Sequence, residues 1–112
     1  MASGGVELGW IEARRVVVNE RLAAAEARLA SVREARGDWI DEEHDPEGFA
    51  LTFEWQQAEG SRAEYLRELA ELDAAEARVH AGTYGICTVC GQRIPDAQLE
   101  RGPARTTCVA HT

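Results

Sequence analysis

The sequence predicts a mostly α-helical fold, in which a long antiparallel helical hairpin, paired as a coiled coil, precedes a small C-terminal metal-binding finger. Two stretches of heptad-spaced apolar residues predict the helices, and two close pairs of metal-ligating residues predict the finger. With 112 residues the chain is the size of one small domain. We expect the hairpin in residues 1–81, with an acidic tip at 37–48, and the finger in residues 82–112.

The first helix is predicted to run from about Leu8 to Arg36, with Gly37 as its C-terminal cap. Most positions outside the apolar seam hold Ala, Glu or Arg, which are good helix formers, so local propensity agrees with the pattern. Arg15 fills the one gap in the seam. The seam residues fall at alternating steps of three and four: Ile11, Val18, Leu22, Ala25, Leu29 and Val32.

The second helix is predicted to begin at Asp45 and Pro46, because Asp is a favoured N-cap and Pro is tolerated at the first helical position. It should end near Ala81. Its seam repeats the heptad spacing and comprises Leu51, Trp55, Ala58, Arg62, Tyr65, Leu69, Leu72, Glu76 and Val79.

Two helices of similar length with a short connection pack antiparallel most economically. We expect Trp39, Phe49 and Phe53 to close the end of the hairpin near the turn. Exposed heptads could also support self-association.

The net charge of −8 is unevenly distributed, because residues 37–48 carry six acidic side chains and no basic one. A duplex DNA binder would need a basic stripe to neutralise phosphates, and no segment offers one, so direct sequence-specific DNA binding is not expected. No apolar stretch approaches the roughly 20 residues of a membrane span. The odd cysteine count, and an N-terminus without a basic start and apolar core, predict a reducing cytoplasm.

Two interpretations of the acidic connection remain open. Charges collect on any solvated turn, and a helix N-cap is a purely structural use of Asp45. A cluster of acids without a base also suits contact with a partner. The candidate partner-binding residues are Asp41, Glu42, Glu43, Asp45 and Glu47.

The C-terminal segment carries the spacing of a structural zinc site. Cys87 and Cys90 are separated by two residues, which lets both sulfurs reach one tetrahedral ion, and Cys108 and His111 repeat the spacing with imidazole as the last donor. Seventeen residues lie between the pairs, within the usual range for a zinc ribbon or treble-clef-like finger. Four protein ligands leave no open coordination position, so one structural zinc ion is predicted, with no catalytic residue and no other cofactor.

Other uses of these residues are weaker. A thioredoxin-like site would need a βαβ context that the sequence lacks. A zinc deaminase would need an upstream His-x-Glu and a Pro directly before the thiolate pair, whereas Ile86 precedes it. His44 and His80 have no partners at ligand spacing and are expected to be ordinary surface residues.

The finger also has a distinctive motif order: a Gly-x-Tyr-Gly-x-Cys-x-x-Cys-Gly run over residues 82–91, then a Pro-Ala-x-x-x-Cys run ending at Cys108. With the preceding hairpin, this arrangement resembles the DksA/TraR family of bacterial zinc-finger transcription regulators over nearly the whole chain. The resemblance implies a protein that binds bacterial RNA polymerase, with the hairpin in the secondary channel and acidic tip residues near the catalytic centre.

Departures from the family pattern occur in the finger. The last family ligand is usually Cys, where this chain has His111, and zinc accepts either donor. Gln98 and Gly102 replace the Arg and Ala that commonly flank this part of the finger.

The acidic tip also departs from the family pattern, since well-known members of the family carry Asp-x-x-Asp-x-Ala there. Counting back from the finger aligns residues 45–50, with Gly48 in place of the second Asp. An alternative register uses Asp38 and Asp41, with Glu43 in place of Ala.

Three functional hypotheses follow. The first is a non-enzymatic regulator whose carboxylates, on a rigid arm, reorganise basic side chains or catalytic metal ions of polymerase. The second is a transcript-cleavage cofactor whose tip helps to hold a second magnesium ion. The third is a zinc-stabilised coiled-coil adaptor unrelated to polymerase.

Overall fold

The computed structural model describes residues 3–37 and 46–111, with the side chains of residues 4–35 and 50–111. Its elements are α1 (Ser3–Gly37), α2 (Pro46–Ala81), α3 (Asp96–Arg101) and a short 3₁₀ helix (Val109–His111). The described ranges contain no strand longer than an isolated antiparallel bridge between Ile86 and Arg93. The predicted class, mostly α-helical with a hairpin of two long helices before a small finger, is confirmed.

The helix boundaries are close to the predicted ones, with one exception. α2 spans Pro46–Ala81, as the capping signals predicted, and α1 ends at Gly37. α1 begins at Ser3, five residues before the predicted start at Leu8. Neither helix, over its described residues, is long and apolar enough to cross a membrane.

Two compact units divide the chain. The finger unit comprises residues 1–17 and 68–112, and the helical unit comprises residues 18–67. Each unit contains a segment of α1 and a segment of α2.

In the helical unit the two helix segments run antiparallel. Arg62 Nε lies 3.4 Å from Glu26 Oε2, and the Arg33 guanidinium lies 5.5 Å from the centre of the Trp55 ring. Of these two contacts, the one made by the later α1 residue, Arg33, is to the earlier α2 residue, Trp55, as an antiparallel pair requires. The stacked Arg33 adds a cation–π contact to the pairing. The buried residues of this unit are Val18, Ala25, Leu29, Val32 and Ala58.

The finger unit repeats the antiparallel pairing, reinforced by charged groups. Arg14 binds both carboxylate oxygens of Glu68, at 2.5 and 3.0 Å. Arg15, which fills the gap in the predicted seam, donates to Asp73 at 2.9 Å and to Glu76 at 2.8 Å. A further hydrogen bond from Arg15 to Glu12, with those to Glu76 and Asp73, raises the pKa of the Arg15 guanidinium. The gap is therefore filled by an ion-pair network that joins α1 to α2.

The predicted seam of α1 matches burial better than that of α2. Every apolar seam residue of α1 is buried except Leu22, which is half-buried. On α2, Ala58 and Leu72 are buried, whereas the other predicted seam residues are half-buried. Ala75 is fully buried and was not predicted, because the heptad pattern selected Glu76 instead. Glu76 lies at the edge of the interface, where it accepts the hydrogen bond from Arg15.

The expected aromatic closure is wrong for Phe53, whose side chain is 57% exposed. Trp39 and the side chain of Phe49 lie outside the described part of the chain. Phe53 lies on α2 two residues before Trp55, and so on a different face from the ring that Arg33 covers.

Candidate metal centre

Two glycines shape the turn that holds the first cysteine pair. Gly85 and Gly91 have backbone φ angles of +84° and +73°, which residues other than glycine rarely adopt. The Gly91 N–H donates to the Cys87 carbonyl at 2.9 Å and closes the turn. The N–H groups of Val89 and Cys90 lie 3.4 and 3.5 Å from Cys87 Sγ, so the backbone directs positive dipoles at this sulfur.

The second pair lies on the last turn of the described chain. The 3₁₀ helix Val109–His111 begins directly after Cys108, and the His111 N–H donates to the Cys108 carbonyl at 2.9 Å. A bond of 2.9 Å from the Thr88 N–H to the Thr106 carbonyl joins the two turns. This backbone bond holds both donor pairs on the same side of the finger.

The structure brings the four predicted donors together. The sulfurs of Cys87, Cys90 and Cys108 and a ring nitrogen of His111 all lie within 4.8 Å of one another. A tetrahedral zinc ion at about 2.3 Å from sulfur and about 2.0 Å from nitrogen separates its donors by about 3.5 to 3.8 Å. Observed separations are 4.0 Å between Cys90 and Cys108 Sγ, and 3.9 Å between Cys87 Sγ and His111 Nδ1. Cys108 Sγ and His111 Nδ1 are closer, at 2.9 Å.

The donor chemistry also fits zinc. The N–H of Cys90, followed by those of Cys108 and Val89, lowers the pKa of the Cys87 thiol to about 6, against the opposing effect of burial. Burial, with the neighbouring sulfurs, raises the pKa of Cys108. A cation at the centre of the four donors would offset the repulsion among neighbouring thiolates, because metals bind thiolates and release their protons. Three thiolates and one imidazole form a closed donor set that suits a structural ion.

Tyr84 ties the first turn to the segment before the second pair. Its side chain is 5% exposed, and its hydroxyl donates to the carbonyl of Pro103, itself buried, at 2.7 Å. Burial, and then the negative charge of Glu7, raise the pKa of Tyr84 to about 12. The hydroxyl therefore remains protonated and able to donate throughout the neutral range. Around this bond the finger core is completed by Ile94, Leu99 and Cys87.

Gln98 supports the second donor pair from α3. Its Oε1 accepts a hydrogen bond of 3.0 Å from the Val109 N–H, one residue after Cys108. The sequence identified Gln98 as a departure from an Arg that is common in the resembled family. An Arg side chain has no acceptor, so it could not make this bond.

The finger is attached to α1 by an ion pair that sequence reasoning missed. Arg93 Nη2 donates to Glu7 Oε2 at 2.8 Å and to Asp96 Oδ1 at 3.1 Å, and Glu7 is 6% exposed. A Cβ on Gly85 would lie 2.7 Å from Arg93 Nη1, so the glycine also makes room for this guanidinium. Glu7 and Arg93 are 86 residues apart, and no local pattern relates them.

The proposed tip falls outside the structural description. Asp41, Glu42, Glu43 and Asp45 lie outside the described residues, as do Asp38 and His44. Glu47 belongs to α2, but its side chain is also outside the description. The acidic tip therefore stays a prediction from the sequence. His80, expected to be an ordinary surface residue, is 65% exposed beside Glu76.

Comparisons with known proteins agree with the finger and with the fold. Residues 82–110 match the prokaryotic DksA/TraR C4-type zinc finger, which confirms the resemblance over this segment. The finger therefore binds one structural zinc ion. His111, which the sequence predicts as the fourth ligand, lies one residue beyond the match, and its donor atom lies close to the three sulfurs. A solved structure of the transcription factor DksA2 from Pseudomonas aeruginosa is similar, with a TM-score of 0.53 and 18% identity. The match covers 92% of this chain and 80% of the DksA2 chain, and it shows a shared fold. No curated protein sequence matches this chain.

Proposed function

We propose that this chain, whose residues 82–110 form a zinc finger of the prokaryotic DksA/TraR type, is a non-enzymatic transcription regulator that binds bacterial RNA polymerase. The observation that carries the proposal is the combination of this finger with an antiparallel helical hairpin. The similar solved protein is described as a transcription factor, which supports the same class of activity here. A regulator of this kind acts in the cytoplasm, where its thiols remain reduced.

Zinc has a structural role in this proposal. We assign Cys87, Cys90, Cys108 and His111 as its ligands, on the basis of their four converging donors. Zinc supplies folding free energy to a segment of about 30 residues whose apolar core is small. The ion would keep the finger folded and take no part in chemistry on a substrate, because the four ligands complete its tetrahedral shell.

The acidic connection is the proposed effector surface. Asp41, Glu42, Glu43, Asp45 and Glu47 place negative charge at the turn of the hairpin in the sequence. By resemblance to the family, this turn would enter the secondary channel, and its carboxylates would act on basic side chains or metal ions near the catalytic centre. Helical arms and finger would supply most of the binding surface, while the tip would change what polymerase does.

The test uses purified bacterial RNA polymerase and the full chain. Asp41, Glu42 and Glu43 are changed together to Ala, and the matched control changes three exposed helix acids, Glu20, Glu59 and Glu71, to Ala. The tip variant and the control variant each remove three negative charges. We expect the tip variant to bind within about tenfold of wild type, or roughly 1.4 kcal/mol, and to lose its effect on open-complex lifetime. The control variant should retain that effect.

Each outcome distinguishes among the hypotheses. No binding of the wild-type chain to polymerase would reject the proposal in favour of the adaptor hypothesis. Binding together with cleavage of the transcript in a stalled elongation complex would favour the cleavage cofactor. If the tip variant acted like wild type, the acidic cluster would be only a solvated turn. At Asp45 the better probe is Asp45→Asn, which removes the charge but keeps a side chain able to cap α2.

A further inference from the structure

The first turns of α1 have weak helix propensity of their own. α1 begins at Ser3, continues through Gly4, Gly5 and Gly9, and has no acidic residue in its first turn. Each glycine lowers the local helix equilibrium about fivefold relative to alanine. A Cβ on Gly5 or Gly9 would meet nothing within 4 Å, so close packing does not account for these two glycines. Local propensity alone favours a later start, beyond Gly9, close to the start near Leu8 that the sequence predicted.

Near its early start, α1 contacts a residue of the finger. Glu7 is buried, and its carboxylate receives the Arg93 guanidinium at 2.8 Å. The negative charge of Glu7 also contributes to the raised pKa of Tyr84 in the finger core. One turn of α1 is thus joined to the finger by this ion pair.

The position of Arg93 depends on the folded finger. Arg93 lies between the two ligand pairs, and its backbone forms the antiparallel bridge with Ile86, next to Cys87. The following residue, Ile94, donates its N–H to the Gly85 carbonyl at 2.7 Å. Loss of the metal removes the free energy that holds this small finger together, and the guanidinium then leaves Glu7. A buried carboxylate without its partner is strongly disfavoured, so the surrounding helix opens to solvate it.

We propose that the metal state of the finger controls the folding of the first turns of α1, through the ion pair between Arg93 and Glu7. With zinc bound, α1 extends back to Ser3; without zinc, it begins beyond Gly9. The proposal rests on the zinc assignment and is independent of polymerase binding, so it stands or falls separately from the proposed activity.

Hydrogen exchange on the full chain, followed by mass spectrometry, tests this coupling. The reporters are the amides of residues 7–11, which donate to the carbonyls of residues 3–7 when α1 is helical. Removing zinc with a chelator should lower their protection at least tenfold. Amides of residues 22–32, in the helical unit, should change less than twofold. Equal protection of residues 7–11 with and without zinc would overturn the proposal.

Variants at the ion pair separate the coupling from general loss of stability. Glu7→Gln and Arg93→Gln, studied at saturating zinc, should lower protection of residues 7–11 at least tenfold while native mass spectrometry still shows one zinc ion. Glu12→Gln is the matched control, because it makes the same change on α1 at an exposed residue whose ion pair among the described residues is with Arg15 of the same helix. Wild-type protection in Glu7→Gln, or equal losses in Glu7→Gln and Glu12→Gln, would contradict the role of the pair. Loss of zinc from Glu7→Gln would also contradict it, because Glu7 would then act on the metal site itself.

A gain-of-structure variant completes the test. Gly5→Ala with Gly9→Ala raises helix propensity at two positions where a methyl group meets no neighbour. In the zinc-free protein this double variant should raise the protection of residues 7–11 by up to about 25-fold, since each substitution contributes about fivefold. No recovery would show that helix propensity does not limit the start of α1, and the proposal would fail.

Discussion

Changing Tyr84 to Phe removes a single oxygen atom that joins the two halves of the zinc finger. The hydroxyl donates at 2.7 Å to the carbonyl of Pro103, and both residues are buried. Phe preserves the ring but leaves this buried carbonyl without its donor. An unsatisfied buried acceptor costs about 1 to 3 kcal/mol. The loss occurs in the folded finger alone, because in the unfolded chain water satisfies both groups.

The expected result is a weaker apparent zinc affinity, because zinc binding and folding of the finger are coupled. A loss of about 1 to 3 kcal/mol corresponds to about five- to 150-fold. Competition with a chromophoric zinc chelator at pH 7 measures this change. Tyr84 is neutral in that buffer, since its pKa is about 12, so the effect should be constant between pH 7 and pH 9.

Tyr65→Phe is the matched control for this substitution. Tyr65 is half-buried on α2 in the helical unit, outside the finger. The same loss of one hydroxyl there should leave zinc affinity within twofold of wild type. If Tyr84→Phe also stayed within twofold, the bond to Pro103 would have no energetic role in the finger, and the reasoning from its burial and distance would be refuted.

Three further predictions concern the finger. In a Tyr65→Phe background, tyrosinate absorbance reports Tyr84 and should show it titrating near pH 12 in the folded protein, against about 10 when unfolded. The finger should therefore lose stability as the pH rises from about 10 to about 12. A titration midpoint near 10 in the folded protein would contradict this prediction. His111→Cys should retain zinc and His111→Ala should weaken its binding, measured by chelator competition, and equal affinity of wild type and the Ala variant would show that His111 is not a ligand. Gln98→Arg should reduce zinc affinity by about fivefold, roughly 1 kcal/mol, because it removes the acceptor for the Val109 N–H, whereas Gln98→Glu keeps an acceptor and should not.

The helical part shows how far a periodic pattern carries a prediction. Heptad spacing located both helices and most of the α1 residues that are buried, because burial on a helix follows its period. On α2 the pattern chose Glu76 where the structure buries Ala75, its neighbour. The heptad repeat and the helical turn differ by about 20° per heptad, so neighbouring positions exchange places along a long helix. The Arg15 network then uses Glu76 at the edge of the seam.

The finger shows a different division between sequence and structure. Ligand spacing identified Cys87, Cys90, Cys108 and His111, because the reach of two thiolates to one tetrahedral ion depends on local chain length. The contact of Gln98 with Val109 was hidden, although the residue itself was noticed as a departure from the family pattern. Which turn a side chain on a short helix contacts depends on the folded structure, so the sequence did not reveal the bond between Gln98 and Val109.

The sequence by itself determined the helical class, the start of α2, and which four donors meet, since each depends on spacing along a short stretch of chain. Only the tertiary structure decided where α1 begins. The sequence pattern placed that start near Leu8, whereas the structure extends the helix to Ser3 and buries Glu7 against Arg93. The partners are 86 residues apart. A contact between residues so distant depends on the folded backbone that joins them, and its free energy can exceed the weak local preference of a few glycines.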